Sequence, residues 1–288
     1  MMHKNGVDST GVHPSFPKFP QDIKLVVTDM DGTLLNPNGT LSPSFFPVLD
    51  RLLERGVEFV VASGRQYYNL REMFQAYLDR IYFIAENGSF EAFQDQPLSI
   101  LEFDKANVRP IAEAVRALEN CHAVYCGAKQ AYVEDLDAAF LQEVSKYYQR
   151  LEIVPDITAV ADDPCLKIAV CNLGEAPDYA YPHLRHFEEQ GLKVVLSGRN
   201  WVDLSDPIAN KGVPLKRLQQ RLGISPDQTL AFGDQMNDSE MLSCATYSFA
   251  VANAFPELFP HARFVAPSNA EHGVIQVLEH LLQNSVEK

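Results

Sequence analysis

The sequence predicts an α/β fold: a parallel-sheet core domain into which an α+β domain is inserted. Three observations predict it. β-Branched apolar runs alternate with amphipathic helical stripes from residue 23 to residue 85. The same alternation returns after residue 211 and continues to the C-terminal region. Between these halves lies a stretch of different texture, rich in short strand pairs, which reads as an insertion.

Ile23–Thr28 (IKLVVT) is a short apolar run closed by DMDG, the pattern of a buried strand ending in a turn. Ser42–Arg55 places Phe45, Phe46, Leu49, Leu52 and Leu53 on one helical stripe, with Gly56 as its stop. Pro47 is compatible with that helix only in its first turn. Val57–Ala62 predicts a second strand, followed by SGR and a helix through Leu78, and Ile81–Ala85 a third strand. In the second half, Val213–Leu222 predicts a helix and Thr229–Gly233 a strand. Ser239–Ala245 predicts a helix, Tyr247–Val251 and Arg263–Ala266 strands, and Val274–Leu282 a closing amphipathic helix.

Ser89–Phe93 and Leu98–Phe103 flank a polar QDQP turn as an antiparallel hairpin. Helices are expected at Val108–Leu118, Ala138–Tyr148 and Tyr181–Gln190, with strands at AVYCG, AYVE, LKIAVCNL, KVVLS and WVDL. The division expected is a flexible tail over 1–20, a core over 21–103 and 205–288, and an inserted unit over 104–204.

Of the 288 residues, 46% are hydrophobic and 22% charged, the balance of a soluble chain able to bury a core. The formal net charge of −14 argues against nucleic acid or an anionic membrane as a partner. Five cysteines without a CxxC pair fit reduced thiols and a cytoplasmic location better than a disulfide framework or a zinc site. No apolar run is long enough for a membrane span. A monomer or weak homo-oligomer is expected.

Polar residues stand at the carboxyl ends of four predicted strands, where open parallel sheets form their sites. Asp29 and Asp31 follow the first, Ser63 the second, Glu86 and Asn87 the third, and Asp234 the strand TLAFG. Two carboxylates one residue apart can face one cleft, one held ionised by a cation while the other carries a proton. Gly32 and Thr33 continue a turn whose amides and hydroxyl suit phosphate oxygens, although a Gly-containing turn with solvated aspartates has the same spelling. An EF-hand is excluded, because Gly32 is fourth and Thr40 twelfth from Asp29 where the loop needs Gly sixth and Glu twelfth.

In GDQMND, Asp234 suits a hard cation, Asp238 suits the cation or its support, and Asn237 suits phosphate, while Asn237 or Asp238 would also cap the helix that follows. Ser63 and Gly64 open a helix after a strand, which makes either a phosphate site or a simple cap. Lys211 would neutralise phosphoryl charge, or lie solvated on the surface. With so acidic a chain, a phosphate site needs that lysine, a metal ion and amides to reverse the local sign. The eight histidines show no metal-ligand spacing, and KRLQQR reads as a solvated helix face.

The order DxDGT, SG, K, GDxxND resembles the haloacid dehalogenase-like hydrolase superfamily. The large insert and AENG resemble its Cof-type subgroup. VVASGRQYYNL, AENG, AYVE and GDQMNDSEML resemble bacterial sugar phosphatases of that subgroup over most of residues 23–288. Arg65 departs from the Asn expected there. The resemblance implies a Rossmann-like core, an α+β cap that sets specificity, and Mg²⁺ as cofactor. It implies that Asp29 attacks phosphorus to form an aspartyl-phosphate and that Asp31 is the acid and then the base. The metal would sit on Asp29, Asp31 through its backbone carbonyl, and Asp234, with Asp238 completing the acidic set. Met30 through its amide, Thr33, Ser63, Gly64, Lys211 and Asn237 would hold the phosphoryl group.

A small phosphate ester is the implied partner, sugar phosphates first. FMN or a ribitylaminouracil phosphate, a phosphosugar mutase and a non-catalytic metabolite sensor are the alternatives. The set Asp29, Asp31, Lys211 and Asp234 argues against the sensor, since binding alone needs no nucleophile and acid. Tyr125, Tyr132, Lys167 and Arg199 are candidates among the cap residues for specificity, which one sequence does not rank.

Overall fold

The computed structural model describes residues 16–20 and 22–284. The first five strands in chain order are β1 (Leu25–Thr28), β2 (Glu58–Ala62), β3 (Tyr82–Ala85), β4 (Phe90–Phe93) and β5 (Gln96–Ile100). Six more follow: β6 (Cys121–Gly127), β7 (Ala131–Val133), β8 (Leu151–Ile153), β9 (Cys165–Asn172), β10 (Lys193–Gly198) and β11 (Trp201–Ser205). The chain then returns through β12 (Thr229–Gly233), β13 (Tyr247–Val251) and β14 (Phe264–Ala266). The α-helices are α1 (Phe45–Glu54), α2 (Tyr67–Met73), α3 (Val108–Arg116), α4 (Ala138–Val144), α5 (Tyr181–Leu184), α6 (Gly212–Leu222), α7 (Ser239–Leu242) and α8 (Gly273–Asn284).

One sheet of eight strands runs β14-β13-β12-β1-β2-β3-β4-β5, parallel from β14 to β3 and antiparallel from β3 onward. A second sheet of six runs β10-β11-β9-β6-β7-β8, antiparallel except for the β7–β8 pair. The strand order of the first sheet reverses between β1 and β12. That switch point opens a crevice at the carboxyl ends, where Asp29 and Asp234 emerge.

Every residue of β1 is buried, as a central strand covered on both faces requires. Helix α1 buries Phe45, Val48, Leu49 and Leu52, and the Phe45 ring meets Phe59 of β2 at 5.6 Å. Pro47 is the third residue of α1, where its missing N–H costs nothing.

Some elements are shorter than the periodicity implied. The helix expected through Leu78 ends at Met73 and continues as a 3₁₀ turn over Gln75–Tyr77. The helix expected over Tyr181–Gln190 is α only to Leu184. The hairpin turn is the pair Gln94-Asp95, both with positive φ, so Gln96 and Pro97 belong to β5. Strand β8 was not expected. Residues 16–20, assigned to a loose tail, instead pack on the core. The Phe19 ring lies 5.4 Å from Tyr247 and the Phe16 ring 5.4 Å from His280. The tail reading for residues 1–15 lies outside the described residues. All five cysteines are free thiols, four of them buried.

Candidate active site

Asp29 leaves β1 with its amide bound to Phe232 O of β12 at 3.0 Å, and only 5% of the residue is exposed. Gly32 turns the chain back with φ +79, and a Cβ there would lie 2.2 Å from Asp234 Oδ2. The turn and the close approach of Asp234 both require glycine. Gly32→Ala is therefore expected to destabilise the protein by about 2 kcal/mol or more through backbone strain and clash, read as a lower urea midpoint.

Lys211 is buried and bridges two carboxylates, Nζ lying 2.5 Å from Asp29 Oδ1 and 2.6 Å from Asp238 Oδ1. Its place is fixed by Asn210, whose Oδ1 accepts from the amides of Gly212 and Val213 and so caps α6. The remaining Asp238 oxygen accepts from the amides of Asp234 and Gln235 at 3.0 and 3.1 Å. Asp238 thus closes its own loop and anchors the lysine. The expected alternative of capping the following helix is not what its side chain does. Thr33 is buried and donates to Asp234 Oδ1 at 2.9 Å, so its hydroxyl steadies a carboxylate and does not face the cavity. Met30 is fully buried.

The charges do not balance locally. Burial raises the Asp29 carboxyl well above its ordinary value against the pull of Lys211, with Asp238 and Asp234 adding to the rise. Burial, then Asp238, pushes Asp234 up to about 6. Burial alone would lower the Lys211 ammonium, but Asp238 and Asp29 outweigh it and hold it above its usual range. Three buried carboxylates face one ammonium, and oxygens of Asp29, Asp234 and Asp238 lie within 4.8 Å of one another. Such a hard-oxygen set with excess negative charge fits a divalent cation. Asp29 and Asp234 are its better ligands, since both Asp238 oxygens are already engaged.

Opposite these groups, Ser63 follows β2, its carbonyl accepting from Asn87 N and its Oγ from Arg65 N. Asn237 donates to Asn87 Oδ1 at 3.0 Å, while its own Oδ1 is buried without a partner. Asp31 is half exposed and chelated by Arg65. A cavity of about 220 Å³ joins Asp29, Asp31, Ser63, Gly64, Asn237 and Asp234 to residues of the second sheet. From that sheet, Lys167 reaches across to Gly64 O at 3.2 Å and Glu86 Oε2 at 2.9 Å, and pairs with Asp203 Oδ2 of the neighbouring β11 at 2.9 Å. Tyr147 and Trp201, their rings 5.7 Å apart edge to face, form another part of the wall.

Of the residues picked from the sequence, Asp29, Asp31, Ser63, Gly64, Lys167, Asp234 and Asn237 line the cavity, Lys211 and Asp238 join them through the Asp29 bridge, and Thr33 and three cap positions do not face it. Tyr125 and Tyr132 turn their hydroxyls to Asp163, and Arg199 is exposed; none of the three lines the cavity. Sequence reasoning missed Asn87 as a partner of Asn237, although its place after β3 marked it. It also missed Asp203, Tyr147 and Trp201, which carry no local signal.

The family model described as haloacid dehalogenase-like hydrolase matches residues 26–278. The chain belongs to the haloacid dehalogenase-like hydrolases. Among curated relatives of this hydrolase, the 5-amino-6-(5-phospho-D-ribitylamino)uracil phosphatase YbjI of Escherichia coli is 31% identical, over 91% of this chain and 97% of its own. The pyridoxal phosphate phosphatase YbhA of the same organism is 28% identical, over 90% and 99%. The solved structure of SMU.1108c from Streptococcus mutans superposes with a TM-score of 0.82 at 29% identity, over 91% of this chain and 99% of that one. The hydrolase is a phosphatase, acting on phosphoric monoesters, with the Rossmann-like core and inserted cap of its family. No helix among its described residues is long and apolar enough to cross a membrane.

Proposed function

We propose that this hydrolase releases phosphate from small phosphorylated metabolites, sugar phosphates foremost, by way of an aspartyl-phosphate on Asp29 and with Mg²⁺ as cofactor. The observation that carries the reading is the Asp29–Lys211–Asp238 bridge with Asp234 beside it, buried at the ends of β1 and β12. Simple binding of a metabolite does not call for three carboxylates around one buried lysine.

Asp29 attacks phosphorus in line, so that its oxygen–phosphorus bond forms as the ester bond breaks. Asp31 gives a proton to the leaving oxygen and later takes one from the water that hydrolyses the aspartyl-phosphate. Ser63, Gly64, Asn237 and the Met30 amide hold phosphoryl oxygens, and Lys211 offsets their charge while orienting Asp29. The group of Asn237 that can serve a phosphoryl oxygen is its amide nitrogen, which donates to Asn87 Oδ1 when no substrate is bound. Mg²⁺ on Asp29, Asp234 and the Asp31 carbonyl would supply the positive charge that draws nucleophile and phosphate together. Residues 21–103 and 205–288 serve as the catalytic core and 104–204 as the specificity cap, which contributes Lys167, Tyr147 and Trp201 to the cavity wall.

Chelation by EDTA is expected to cut phosphate release from p-nitrophenyl phosphate at least about 100-fold, with Mg²⁺ restoring it. In the chelated protein, Mg²⁺ should also raise the melting temperature as its concentration rises, because it binds the folded carboxylate cluster alone. Activity indifferent to EDTA, or a melting temperature indifferent to Mg²⁺, contradicts the metal assignment.

A second reading, a phosphorylated heteroaromatic such as ribitylaminouracil phosphate, is favoured by the 31% identical relative and by the Tyr147–Trp201 wall. Ranking kcat/KM over sugar phosphates, ribitylaminouracil phosphate and pyridoxal phosphate with Mg²⁺ decides between the two.

A further inference from the structure

Arg65 grips Asp31 with both arms of its fork, Nε to Oδ2 at 2.6 Å and Nη2 to Oδ1 at 2.6 Å. Its third nitrogen, Nη1, donates to Asn69 Oδ1 at 2.7 Å. The arginine's backbone is also tied down, since its carbonyl accepts from Glu86 N and its amide donates to Ser63 Oγ. The Arg65 side chain is 11% exposed and that of Asp31 49%, and both line the cavity. The guanidinium is thus the fixed partner and the carboxylate the free one.

This geometry conflicts with the work assigned to Asp31. A carboxylate chelated by a guanidinium accepts two hydrogen bonds and has no O–H to give. To protonate a leaving oxygen, Asp31 must first come off the fork. Leaving the Arg65 fork empty in a partly buried wall is costly, because five N–H donors in fixed geometry need acceptors. The exchange is balanced if the substrate brings its own oxyanion: Arg65 keeps a bidentate partner, and Asp31 is released at the exposed side of the cavity.

We propose that Arg65 is a specificity-determining residue that selects phosphate esters whose leaving group carries a second oxyanion, a carboxylate or another phosphate, and that this oxyanion replaces Asp31 on the guanidinium. Asp31, off the fork, is then free to act as the acid at the leaving oxygen as the Asp29–phosphorus bond forms and the ester bond breaks. It returns to the carboxylate form, ready to take the proton of the hydrolytic water. The proposal rests on the reading of Asp31 as acid and base given above.

The test uses ester pairs matched except for the second oxyanion. For carboxylate the pair is 3-phosphoglycerate and glycerol 3-phosphate; for phosphate it is fructose 1,6-bisphosphate and fructose 6-phosphate. Rates with Mg²⁺ are compared in the wild type and in Arg65→Gln. In at least one pair, the kcat/KM ratio of the oxyanion ester to its neutral partner is expected to fall about tenfold in the variant, through a higher KM. Whichever pair responds identifies the oxyanion. Arg65→Lys, which keeps the charge and loses the fork, should lower the same ratio at least about threefold, and it decides the matter if Arg65→Gln does not fold.

Ratios unchanged in both pairs, or an equal loss for both members of each pair, overturn the proposal and leave Arg65 a structural residue. Asp31→Asn separates this failure from that of the underlying reading. If it retains near-normal turnover on every ester, the acid assignment falls whatever the ratios do.

Discussion

Replacing Asp29 with asparagine is expected to lower kcat for phosphate release by about 10⁴-fold or more while leaving the fold intact. The amide keeps the shape of the carboxylate and retains an oxygen that can accept from Lys211, now 2.5 Å from Asp29 Oδ1. What it loses is the nucleophilic oxygen, and with it the covalent intermediate. Stability should not suffer. Burial raises the Asp29 carboxyl, which means that its charge is a burden on the metal-free fold. A neutral side chain removes that burden, so the melting temperature without metal should hold or rise. Thermal melts and p-nitrophenyl phosphate turnover, measured on the same preparation, check both halves. Near-normal turnover would sink the nucleophile assignment, and a collapsed melting temperature would show that the asparagine is not a clean replacement.

Asp29 is legible in the sequence because the physics that places it is local. A fully buried parallel strand must be apolar, so a carboxylate directly after IKLVVT can only mark the point where the chain leaves the sheet. The same logic exposes Ser63 and Asp234. Lys211 has no such signal, being one polar residue among several before α6, and only its order among the motifs raises it above a surface lysine. Charged residues inside strands are harder still. Lys167 and Asp203 sit inside β9 and β11, and each is tolerable there only because of the other, 36 residues away, and of Glu86 in the turn after β3. Nothing in either local run announces the partner.

The errors of extent have equally plain causes. The periodicity of Tyr181–Gln190 suits an α-helix, but 3₁₀ turns present apolar residues at nearly the same spacing, and the run becomes 3₁₀ after Leu184. Pro97 drew the expected turn too far, yet β5 is the edge strand of its sheet and tolerates a residue without an N–H. Strand β8 has three residues, too few for alternation to register.

Lys211→Met is the substitution expected to cost most in stability. The ammonium is 1% exposed and serves two carboxylates, Asp29 and Asp238, neither of which is more than 5% exposed. An apolar side chain of similar length fills the space but leaves both charges in the interior without their cation. Removing one partner of a buried ion pair typically costs about 3–5 kcal/mol, and two carboxylates are orphaned here. Asp238 keeps its two backbone amides, so most of the distress falls on Asp29. That distribution gives the loss a pH dependence whose sign is fixed. A carboxyl raised in the folded state is bound more tightly to its proton there than in the unfolded chain, so its contribution is favourable at low pH and is lost as pH rises through the folded value. Without Lys211 the rise is larger. The stability gap between wild type and variant, measured in metal-free buffer by urea unfolding, should therefore be widest at alkaline pH and narrow toward pH 5. Adding Asp29→Asn to Lys211→Met should recover much of the lost stability without restoring activity. A gap independent of pH, or a double variant no more stable than Lys211→Met alone, would mean that the lysine holds the site by packing and not by charge.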